Sequence, residues 1–324
     1  MIILTGAAGF IGSNILQALN EAGREDVIAV DDIGDTSKWA NIAGRRFYDY
    51  VPKDELPSWL ERERLAELTA ILHMGACSDT REQRFDYLME NNVRYSQRLW
   101  SLAAEKGVPF IFASSAATYG DGSAGYSDDH SRSRDLRPLN GYGMSKQIFD
   151  TWALHQETRP TRWYGLKFFN VYGPREDHKG AMASMVLHGF NQGRKDGRIR
   201  LFKSYRASVP DGEQKRDFIF VGDVVRVVLN FMTSEAEAGL YNVGSGEARS
   251  FNDLAKAVFA ALEAPPAIEY IDMPSDLRGS YQYYTRADIT KLRHAGLITR
   301  TTSLEAGVGA YVGWLKARSN GTTA

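Results

Sequence analysis

The sequence is poor in cysteine and in net charge, and it contains no long apolar run. One of its 324 residues is cysteine, Cys77, so an internal disulfide is impossible and a reducing compartment is expected. The formal net charge of −1 gives no global electrostatic reason to bind nucleic acid or an anionic membrane surface. No stretch is apolar enough to cross a bilayer, and the amino terminus does not read as a signal peptide. These absences predict a cytoplasmic location, without nucleic acid or membrane partners.

The most informative feature that is present is a glycine turn near the amino terminus. An apolar strand, Ile2–Thr5, leads directly into Gly6, Gly9 and Gly12, and a helix is predicted at Ile11–Glu21. Gly6 permits a tight turn, Gly9 lets the backbone approach phosphates, and Gly12 lets the helix pack closely on the strand. The phosphates would lie at the positive end of the helix dipole. The pattern therefore predicts a bound dinucleotide.

Short apolar runs alternate with amphipathic stretches through the first half of the chain. This alternation predicts an α/β fold with a doubly wound parallel (Rossmann) sheet, which binds ligands at the carboxyl ends of its strands. The predicted strands are Ile2–Thr5, Val27–Val30, Ala70–His73 and Phe110–Ala113, and the predicted helices are Ile11–Glu21, Trp59–Glu67 and Phe85–Lys106.

The pattern changes after Phe168, where loops lengthen and aromatic residues become frequent. The predictions here are a surface loop at Ser204–Lys215, a strand that becomes a helix at Phe218–Met232, a helix at Phe251–Leu262 and a frayed tail at Ser319–Ala324. We predict a dinucleotide-binding domain of residues 1–168 plus about 219–248. A smaller, interleaved α/β lobe of about 169–218 plus 249–318 would hold the substrate.

The second strand ends in two acidic residues, Asp31 and Asp32. An acidic residue at this position normally binds the ribose 2′-hydroxyl of NAD and repels the 2′-phosphate of NADP. Lys38 and Lys53 follow, and they could offset that repulsion or be ordinary surface lysines. The choice between NAD and NADP stays open on these grounds. No His, Cys and acidic residues have the spacing of a zinc site, so no catalytic metal is predicted.

A serine at a strand end and a tyrosine–lysine pair form the candidate catalytic group. Ser115 lies just beyond the strand that begins at Phe110, so its hydroxyl should face the carboxyl edge of the sheet. Tyr142 and Lys146 are four residues apart on a predicted helix and share a face. An ammonium and an oxidised nicotinamide would both lower the pKa of the tyrosine from about 10. Tyr142 could then exchange a proton with a substrate hydroxyl that Ser115 holds.

These motifs occur together with further segments along nearly the whole chain. The combination of Thr5–Gly12, Ser114–Gly120, Tyr142–Lys146 and Arg216–Val224 resembles the extended short-chain dehydrogenases/reductases, which act on nucleotide-sugars. A narrower resemblance, to the family of ADP-glyceromanno-heptose 6-epimerases, is carried by His73–Ser78, Glu90–Asn92, Phe169–Ser184 and Gly279–Gln282. The sequence departs from that family at Met74, where Glu is frequent, at Ala181, where Ser is frequent, and in the longer loop Lys203–Glu213.

The resemblance implies an isomerase that inverts C6 of an ADP-linked heptose for lipopolysaccharide core synthesis. It implies NADP as cofactor and a homo-oligomer, since related epimerases include pentamers. The implied acid/base residues are Tyr142 and Lys179, with Ser115 and Lys146 completing the catalytic set. The cofactor contacts are Gly6, Gly9, Phe10, Ile11, Gly12, Asp31, Asp32, Lys38, Lys53, Met74, Gly75, Ala76, Cys77, Ser78, Asn91, Lys146, Val171 and Lys179. The substrate contacts are Asn170, Ala181, His188, Phe202, Arg216 and Tyr281.

The chemistry of such an inversion explains why two acid/base residues would be used. A carbon that bears a hydroxyl and no adjacent carbonyl is too weakly acidic to invert by deprotonation, whereas oxidation to a ketone makes it planar. A proton must then leave the hydroxyl in one pose and return in another, which suits Tyr142 and Lys179 on two sides of a turning side chain. Lys179 also stands near Arg175 and His178, so an anion-binding site is an alternative interpretation.

Single residues help to distinguish other functions that are compatible with the same motifs. A nucleotide-sugar 4,6-dehydratase is disfavoured, because Ala116 and Ala117 stand where that family has an Asp–Glu pair. A UDP-hexose 4-epimerase would need Tyr142 alone and stays an alternative. A catalytically silent NADP sensor is disfavoured, because Tyr142 and Lys146 are both present.

Overall fold

A seven-stranded parallel sheet forms the centre of the computed structural model, which describes residues 1–63, 67–279 and 281–319. The strand order is β10-β6-β5-β4-β1-β2-β3, so the α/β fold with a doubly wound parallel sheet is confirmed. The strands of this sheet are β1 Ile2–Thr5, β2 Val27–Asp31, β3 Asp49–Pro52, β4 Ala70–His73, β5 Phe110–Ser115, β6 Trp163–Phe168 and β10 Gly239–Val243.

Two smaller sheets follow in the second half of the chain. One has the order β11-β9-β7 and the other pairs β12 with β8. Their strands are β7 Asn170–Tyr172, β8 Ile199–Phe202, β9 Lys215–Phe220, β11 Ala248–Ser250 and β12 Ile268–Ile271. An apolar cluster under these strands includes Val186, Phe218, Val258 and Val308, and it is distinct from the two clusters that cover the faces of the large sheet.

Helices connect the strands and cover the sheets. They are α1 Phe10–Glu21, α2 Leu56–Arg62, α3 Phe85–Leu88, α4 Tyr95–Lys106, α5 Gly141–Leu154, α6 Met185–Asp196, α7 Val221–Thr233, α8 Phe251–Leu262, α9 Ser275–Arg278, α10 Thr290–His294 and α11 Leu304–Ser319. A π-helical segment, Met89–Arg94, joins α3 to α4, so the helical run predicted at Phe85–Lys106 is confirmed.

The predicted element bounds hold best where apolar runs are buried on both sides. Strands β1 and β4 have the predicted bounds, while β2 and β5 continue to Asp31 and Ser115. The helix predicted at Trp59–Glu67 is shifted, because Pro57 is compatible with the first turn and lets α2 begin at Leu56. It ends at Arg62, and residues 64–66 of that prediction lie outside the described residues.

The predictions for the second half differ from the structure by small shifts. Helix α8 has the predicted bounds, and α7 begins at Val221 directly after β9. The predicted surface loop is irregular as far as Gln214, because Lys215 already belongs to β9. Ser319, the first residue of the predicted frayed tail, ends α11, and residues 320–324 lie outside the described residues.

Candidate active site

The glycine turn after β1 forms a cradle, and any side chain larger than that of glycine would fill its space. Gly6 has a φ of 66°, a region that L residues rarely adopt, and a Cβ there would lie 2.7 Å from the Gly75 nitrogen. A Cβ on Gly12 would lie 2.0 Å from the Gly6 carbonyl oxygen. Helix α1 begins at Phe10 without a side-chain cap, so its first backbone N–H groups are available to an anion. The cradle fits the pyrophosphate of a dinucleotide.

We expect Gly12→Ala to lose most of the bound dinucleotide and to destabilise the fold by about 1–3 kcal/mol, because the new Cβ overlaps the Gly6 carbonyl. The measurement is chromatography of dinucleotide released when the purified protein is denatured, with urea unfolding of the same samples. Gly309→Ala on α11 is the control, since a Cβ there meets open space. Equal dinucleotide contents in the two variants would contradict the cradle.

A cavity of about 740 Å³ opens beside this turn, and its volume falls in the range of small-molecule sites, roughly 300–1,000 Å³. Most of the predicted site residues line it together. They are Gly6, Gly9, Phe10, Ile11, Gly12, Asp31, Lys38, Met74, Gly75, Ala76, Ser78, Ser115, Tyr142, Lys146, Asn170, Val171, Lys179 and Arg216. One cavity thus joins the cradle, the tyrosine–lysine pair and the second predicted base.

Other predicted site residues are not part of the cavity wall, and their contacts with ligands stay predictions. They are Asp32, Lys53, Cys77, Asn91, Ala181, His188, Phe202 and Tyr281. The Tyr281 ring lies 5.0 Å from the guanidinium centre of Arg216, which is part of the wall, and 6.5 Å from the Phe202 ring centroid. Ala181 is exposed, and Lys53 is paired with Asp54 at 2.9 Å.

The acidic residue at the end of β2 is already surrounded by donors. One oxygen of the Asp31 carboxylate accepts the Ala8 N–H at 2.8 Å. The other accepts the Asp32 N–H at 2.7 Å and the Lys38 ammonium at 2.8 Å. Lys38 also donates to the Asp32 carbonyl at 2.6 Å. The negative charge that would repel a 2′-phosphate is therefore neutralised by a lysine at the same place.

Tyr142 is the second residue of helix α5 and lines the cavity together with Ser115 at the end of β5. Burial raises the pKa of Tyr142, and its side-chain hydrogen bond with Ser115 lowers that pKa in part. Lys146 donates to the Ala113 carbonyl at 2.8 Å, and burial lowers the pKa of this lysine to about 8. The protein's own groups thus do not produce the lowered tyrosine pKa expected from the sequence. Of the two causes expected from the sequence, only an oxidised nicotinamide would still lower the pKa of Tyr142.

Lys179 lies in a short helical turn, Asp177–Met182, on the cavity wall. Its Nζ lies 5.2 Å from the centroid of the Phe10 ring. Burial lowers the pKa of Lys179, and the nearby carboxylate of Glu176 raises it in part. Glu176 is itself held by the N–H of Ser184 at 2.7 Å and by its hydroxyl at 2.5 Å. The lysine is thus a half-buried cation whose free-base form is favoured by desolvation.

Arg216 on β9 is a buried cation that faces the same cavity. Its side chain is 6% exposed, and burial lowers its pKa. The guanidinium centre lies 5.8 Å from the Phe251 ring centroid and 5.0 Å from that of Tyr281. It donates to the Lys215 carbonyl at 3.0 Å, and its titratable neighbours among the described residues are Tyr281 and Tyr126, without a carboxylate. A buried arginine without a carboxylate partner suits a phosphate-bearing ligand.

Sequence reasoning missed Asn92, which clamps two parts of the site together. Its side chain accepts the Cys77 N–H at 2.8 Å and donates to the Cys77 carbonyl at 2.9 Å. The same amide donates to the Ser145 hydroxyl at 3.0 Å, and that hydroxyl donates to the Tyr142 carbonyl at 2.7 Å. Asn92 therefore ties the turn after β4 to the helix that carries the candidate base.

A buried histidine extends this polar layer to the glycine turn. His73 Nδ1 lies 2.6 Å from the Thr5 hydroxyl, and its Nε2 lies 2.8 Å from the Ser96 hydroxyl. Burial lowers the pKa of His73 to about 3, so the ring is neutral at physiological pH. Because Ser96 donates to the Asn92 carbonyl at 2.7 Å, its oxygen must accept from Nε2–H, and Thr5 then donates to Nδ1. The single proton of the neutral ring is fixed by its neighbours.

An ion pair lies fully inside the protein beneath helix α5. Lys167 Nζ on β6 lies 2.7 Å from Asp150 Oδ2, with side-chain exposures of 2% and 0%. The ammonium also donates to the Thr118 hydroxyl at 2.8 Å, and the Ser114 hydroxyl donates to the same carboxylate oxygen at 2.7 Å. Asp150 follows Lys146 by one helical turn, so the pair anchors the candidate catalytic helix to the sheet.

We expect Lys167→Met to lower the free energy of unfolding by about 3–5 kcal/mol, because it leaves the buried carboxylate of Asp150 without its cation. The double variant Asp150→Leu/Lys167→Met should recover most of that loss, since no uncompensated charge remains. Urea unfolding followed by circular dichroism measures all three proteins. A double variant that is as unstable as the sum of the two single variants would contradict the assignment.

Within residues 1–63, 67–279 and 281–319, no group of three or more His, Cys, Asp or Glu side chains could hold a metal ion. No helix in this same part of the chain is long and apolar enough to cross a membrane.

Comparison with known proteins defines the class to which this fold and cavity belong. The model of the NAD dependent epimerase/dehydratase family matches residues 2–244, which is most of the chain. The chain belongs to this family, and its cofactor is a nicotinamide dinucleotide.

The chain's relatives place it more narrowly. An ADP-L-glycero-D-manno-heptose-6-epimerase of Fusobacterium nucleatum is 49% identical over 321 residues, which cover 96% of this chain and 97% of that protein. The crystal structure of the Helicobacter pylori ADP-L-glycero-D-manno-heptose-6-epimerase matches with a TM-score of 0.80 at 28% identity, over 98% of this chain and 96% of that one. Within its family, the chain therefore belongs with the ADP-L-glycero-D-manno-heptose-6-epimerases, and the resemblance seen in the motifs is confirmed.

A second solved structure connects the fold to a bound cofactor. The Thermus thermophilus UDP-glucose 4-epimerase, solved in complex with NAD, matches with a TM-score of 0.77 at 25% identity, over 97% of this chain and 98% of that one.

Proposed function

We propose that this protein is an isomerase that converts ADP-D-glycero-β-D-manno-heptose to the L-glycero epimer by inverting C6, for lipopolysaccharide core precursor synthesis. The observation that carries the proposal is that Tyr142 and Lys179 line one cavity with the glycine cradle. Two titratable groups beside one dinucleotide site suit a hydroxyl that must lose and regain its proton in two poses. A relative that is 49% identical along nearly the full length carries the name of this activity.

The cofactor that we propose is NADP. The main support is the contact between Lys38 and Asp31 at 2.8 Å, which places a cation where the ribose 2′-substituent is expected. The pyrophosphate would lie against Gly9 and the first turn of α1, where backbone N–H groups are available. When it is bound, NADP would supply reversible hydride transfer, so that its oxidation state is restored in each turnover.

The residues of the chain would control the protons. In one pose of the substrate, the phenolate of Tyr142 would accept the proton of the C6 hydroxyl, which the Ser115 hydroxyl would hold. Lys146 would supply a nearby ammonium, and burial lowers the pKa of this group to about 8. In the other pose, the Lys179 ammonium would return a proton to the oxygen of the inverted carbon. The two groups would exchange these tasks in the reverse direction, and proton exchange with solvent would restore both groups after each forward turnover.

We propose that Arg216 binds the diphosphate of the ADP-sugar, because it is a buried cation of the wall with no carboxylate partner among the described residues. Asn170, Ala181, His188, Phe202 and Tyr281 stay predicted substrate contacts. In this proposal, residues 1–168 and about 219–248 form the dinucleotide-binding domain, and the remainder to residue 318 forms the substrate lobe. A homo-oligomer, with a pentamer suggested by resemblance, and a cytoplasmic location also stay predictions.

The proposed reaction is tested by proton NMR of purified protein incubated with ADP-D-glycero-β-D-manno-heptose and no added cofactor. We expect the signals of the L-glycero epimer to grow to an equilibrium mixture. UDP-glucose and UDP-galactose are incubated in parallel. Turnover of the UDP-hexoses without turnover of the ADP-heptose would contradict C6 epimerisation and favour a UDP-hexose 4-epimerase.

A further inference from the structure

A histidine of the cavity wall takes no part in the chemistry described so far. His178 directly precedes Lys179 in the turn Asp177–Met182, and its side chain is half-buried. Its Nδ1 lies 3.1 Å from Nδ2 of Asn41, and the same Nδ2 lies 2.9 Å from the Ala8 carbonyl oxygen. Since an amide nitrogen can only donate, Nδ1 accepts, and the proton of the neutral ring lies on Nε2. His178 therefore has one N–H donor that Asn41 does not use.

The charges around His178 come from the cofactor side of the cavity. The groups that face it are Lys38, Lys179, Asp31 and Asp177, and burial together with the two lysines lowers its pKa. Both acidic groups are already paired, because Asp31 binds Lys38 at 2.8 Å and Asp177 binds Arg318 at 2.8 Å. An anion that lies between Lys38 and His178 would thus meet a cation and could accept from the free N–H of the ring.

We propose that His178 and Lys38 together form the subsite for the 2′-phosphate of NADP, and that His178 is a determinant of the preference for NADP over NAD. The inference rests on the proposed cofactor. The ribose hydroxyls of a dinucleotide lie at the carboxyl end of β2, where Asp31 and Lys38 are found. A phosphate presents several acceptor oxygens, and Lys38 is a compact point charge, so a directional donor such as Nε2–H completes the recognition.

The test uses two substitutions of His178, one that keeps the acceptor function of Nδ1 and one that keeps the donor function of Nε2. In His178→Asn, the amide oxygen can replace Nδ1 and accept from Asn41, but no group reaches the position of Nε2. In His178→Gln, the longer amide can supply a donor near that position. Each protein is equilibrated with equal concentrations of NADP and NAD and freed of unbound cofactor by gel filtration. The bound cofactors are then released by denaturation and measured by chromatography.

We expect His178→Asn to lower the ratio of bound NADP to bound NAD by about tenfold or more, the effect of losing one charge-assisted hydrogen bond. His178→Gln should keep most of the ratio, and His294→Asn, at an exposed position on α10, should leave it unchanged. Thermal unfolding followed by circular dichroism checks that every variant is folded.

Three results would overturn the proposal. The first is an unchanged ratio of bound NADP to bound NAD in His178→Asn. The second is an equal loss of both cofactors in that variant, which would place His178 at the shared pyrophosphate. The third is a wild-type protein that binds NADP and NAD without preference. The readout is binding, so it separates this proposal from the proposed reaction. If the protein inverts the ADP-heptose without preferring NADP, the proposed reaction stands and the proposed subsite is wrong. If the protein shows the expected ratios of bound cofactors but no turnover, the proposed subsite stands and the proposed reaction is wrong.

Discussion

Tyr142→Phe should abolish most of the epimerisation while leaving the dinucleotide in place. We expect kcat to fall by about 10²–10⁴, the range for loss of a positioned acid/base group. The phenol ring still fills its place at the start of α5, so only the hydroxyl that interacts with Ser115 is lost. The rate is measured by proton NMR of the ADP-heptose, and the dinucleotide content by chromatography after denaturation.

The matched control for Tyr142 is Tyr87→Phe, since Tyr87 is 40% exposed and is not part of the cavity wall. This variant should turn over at the wild-type rate. If Tyr142→Phe kept its dinucleotide and also turned over at the wild-type rate, the tyrosine would not be an acid/base residue. If it lost its dinucleotide, the loss of rate would be explained by binding.

Lys179→Met should produce a loss of similar size, with kcat lower by about 10²–10⁴ and a smaller change in KM. Methionine has nearly the length of the lysine stem, so it can fill the same space while it removes the amine that lies 5.2 Å from the Phe10 ring centroid. The double variant Tyr142→Phe/Lys179→Met should be little slower than the slower single variant, because both groups serve one proton cycle. Initial rates from both epimers, followed by NMR, measure each variant.

The same kinetics decide between the two interpretations of Lys179. A lysine that only binds an anion would raise KM or lower the cofactor content while kcat stayed near its wild-type value. That pattern would contradict the account in which two bases act on one carbon. Lys195→Met, at an exposed position on α6, should match the wild-type protein in every parameter.

The fold could be predicted well because its strands are continuous apolar runs buried on both faces. Ile2–Thr5 and Ala70–His73 are fully buried, and their bounds in the structure are those read from the sequence. Boundaries were less accurate where a polar residue continues an element, as at Asp31 and Ser115. Helix α2 shifted for a local reason, since Pro57 can begin a helix before the apolar pattern starts.

The site was predictable where one short motif holds several residues in a fixed geometry. The glycine turn and the pair Tyr142 and Lys146 line the cavity as expected. Asn92 and His178 owe their importance to contacts across long stretches of sequence, with Ser145 and Asn41 respectively. No spacing rule connects such pairs, because only the folded chain brings them together.

The ionisation of the site also depends on the folded structure. The four-residue spacing of Tyr142 and Lys146 predicted a tyrosine with a lowered pKa. Burial is the larger effect, and it raises the pKa of Tyr142 and lowers that of Lys146. The degree of burial follows from the packing of α5 on the sheet, which cannot be read from the spacing of two residues.

The central claim is that C6 is inverted by transient oxidation and not by loss of its hydrogen to solvent. The most direct measurement is to run the reaction to equilibrium in D2O without added cofactor and to examine C6 of both epimers by NMR and mass spectrometry. We predict that no deuterium enters C6, since the hydrogen that leaves this carbon returns to it as hydride from the retained dinucleotide. Incorporation of one solvent deuterium at C6 of the product would contradict the account.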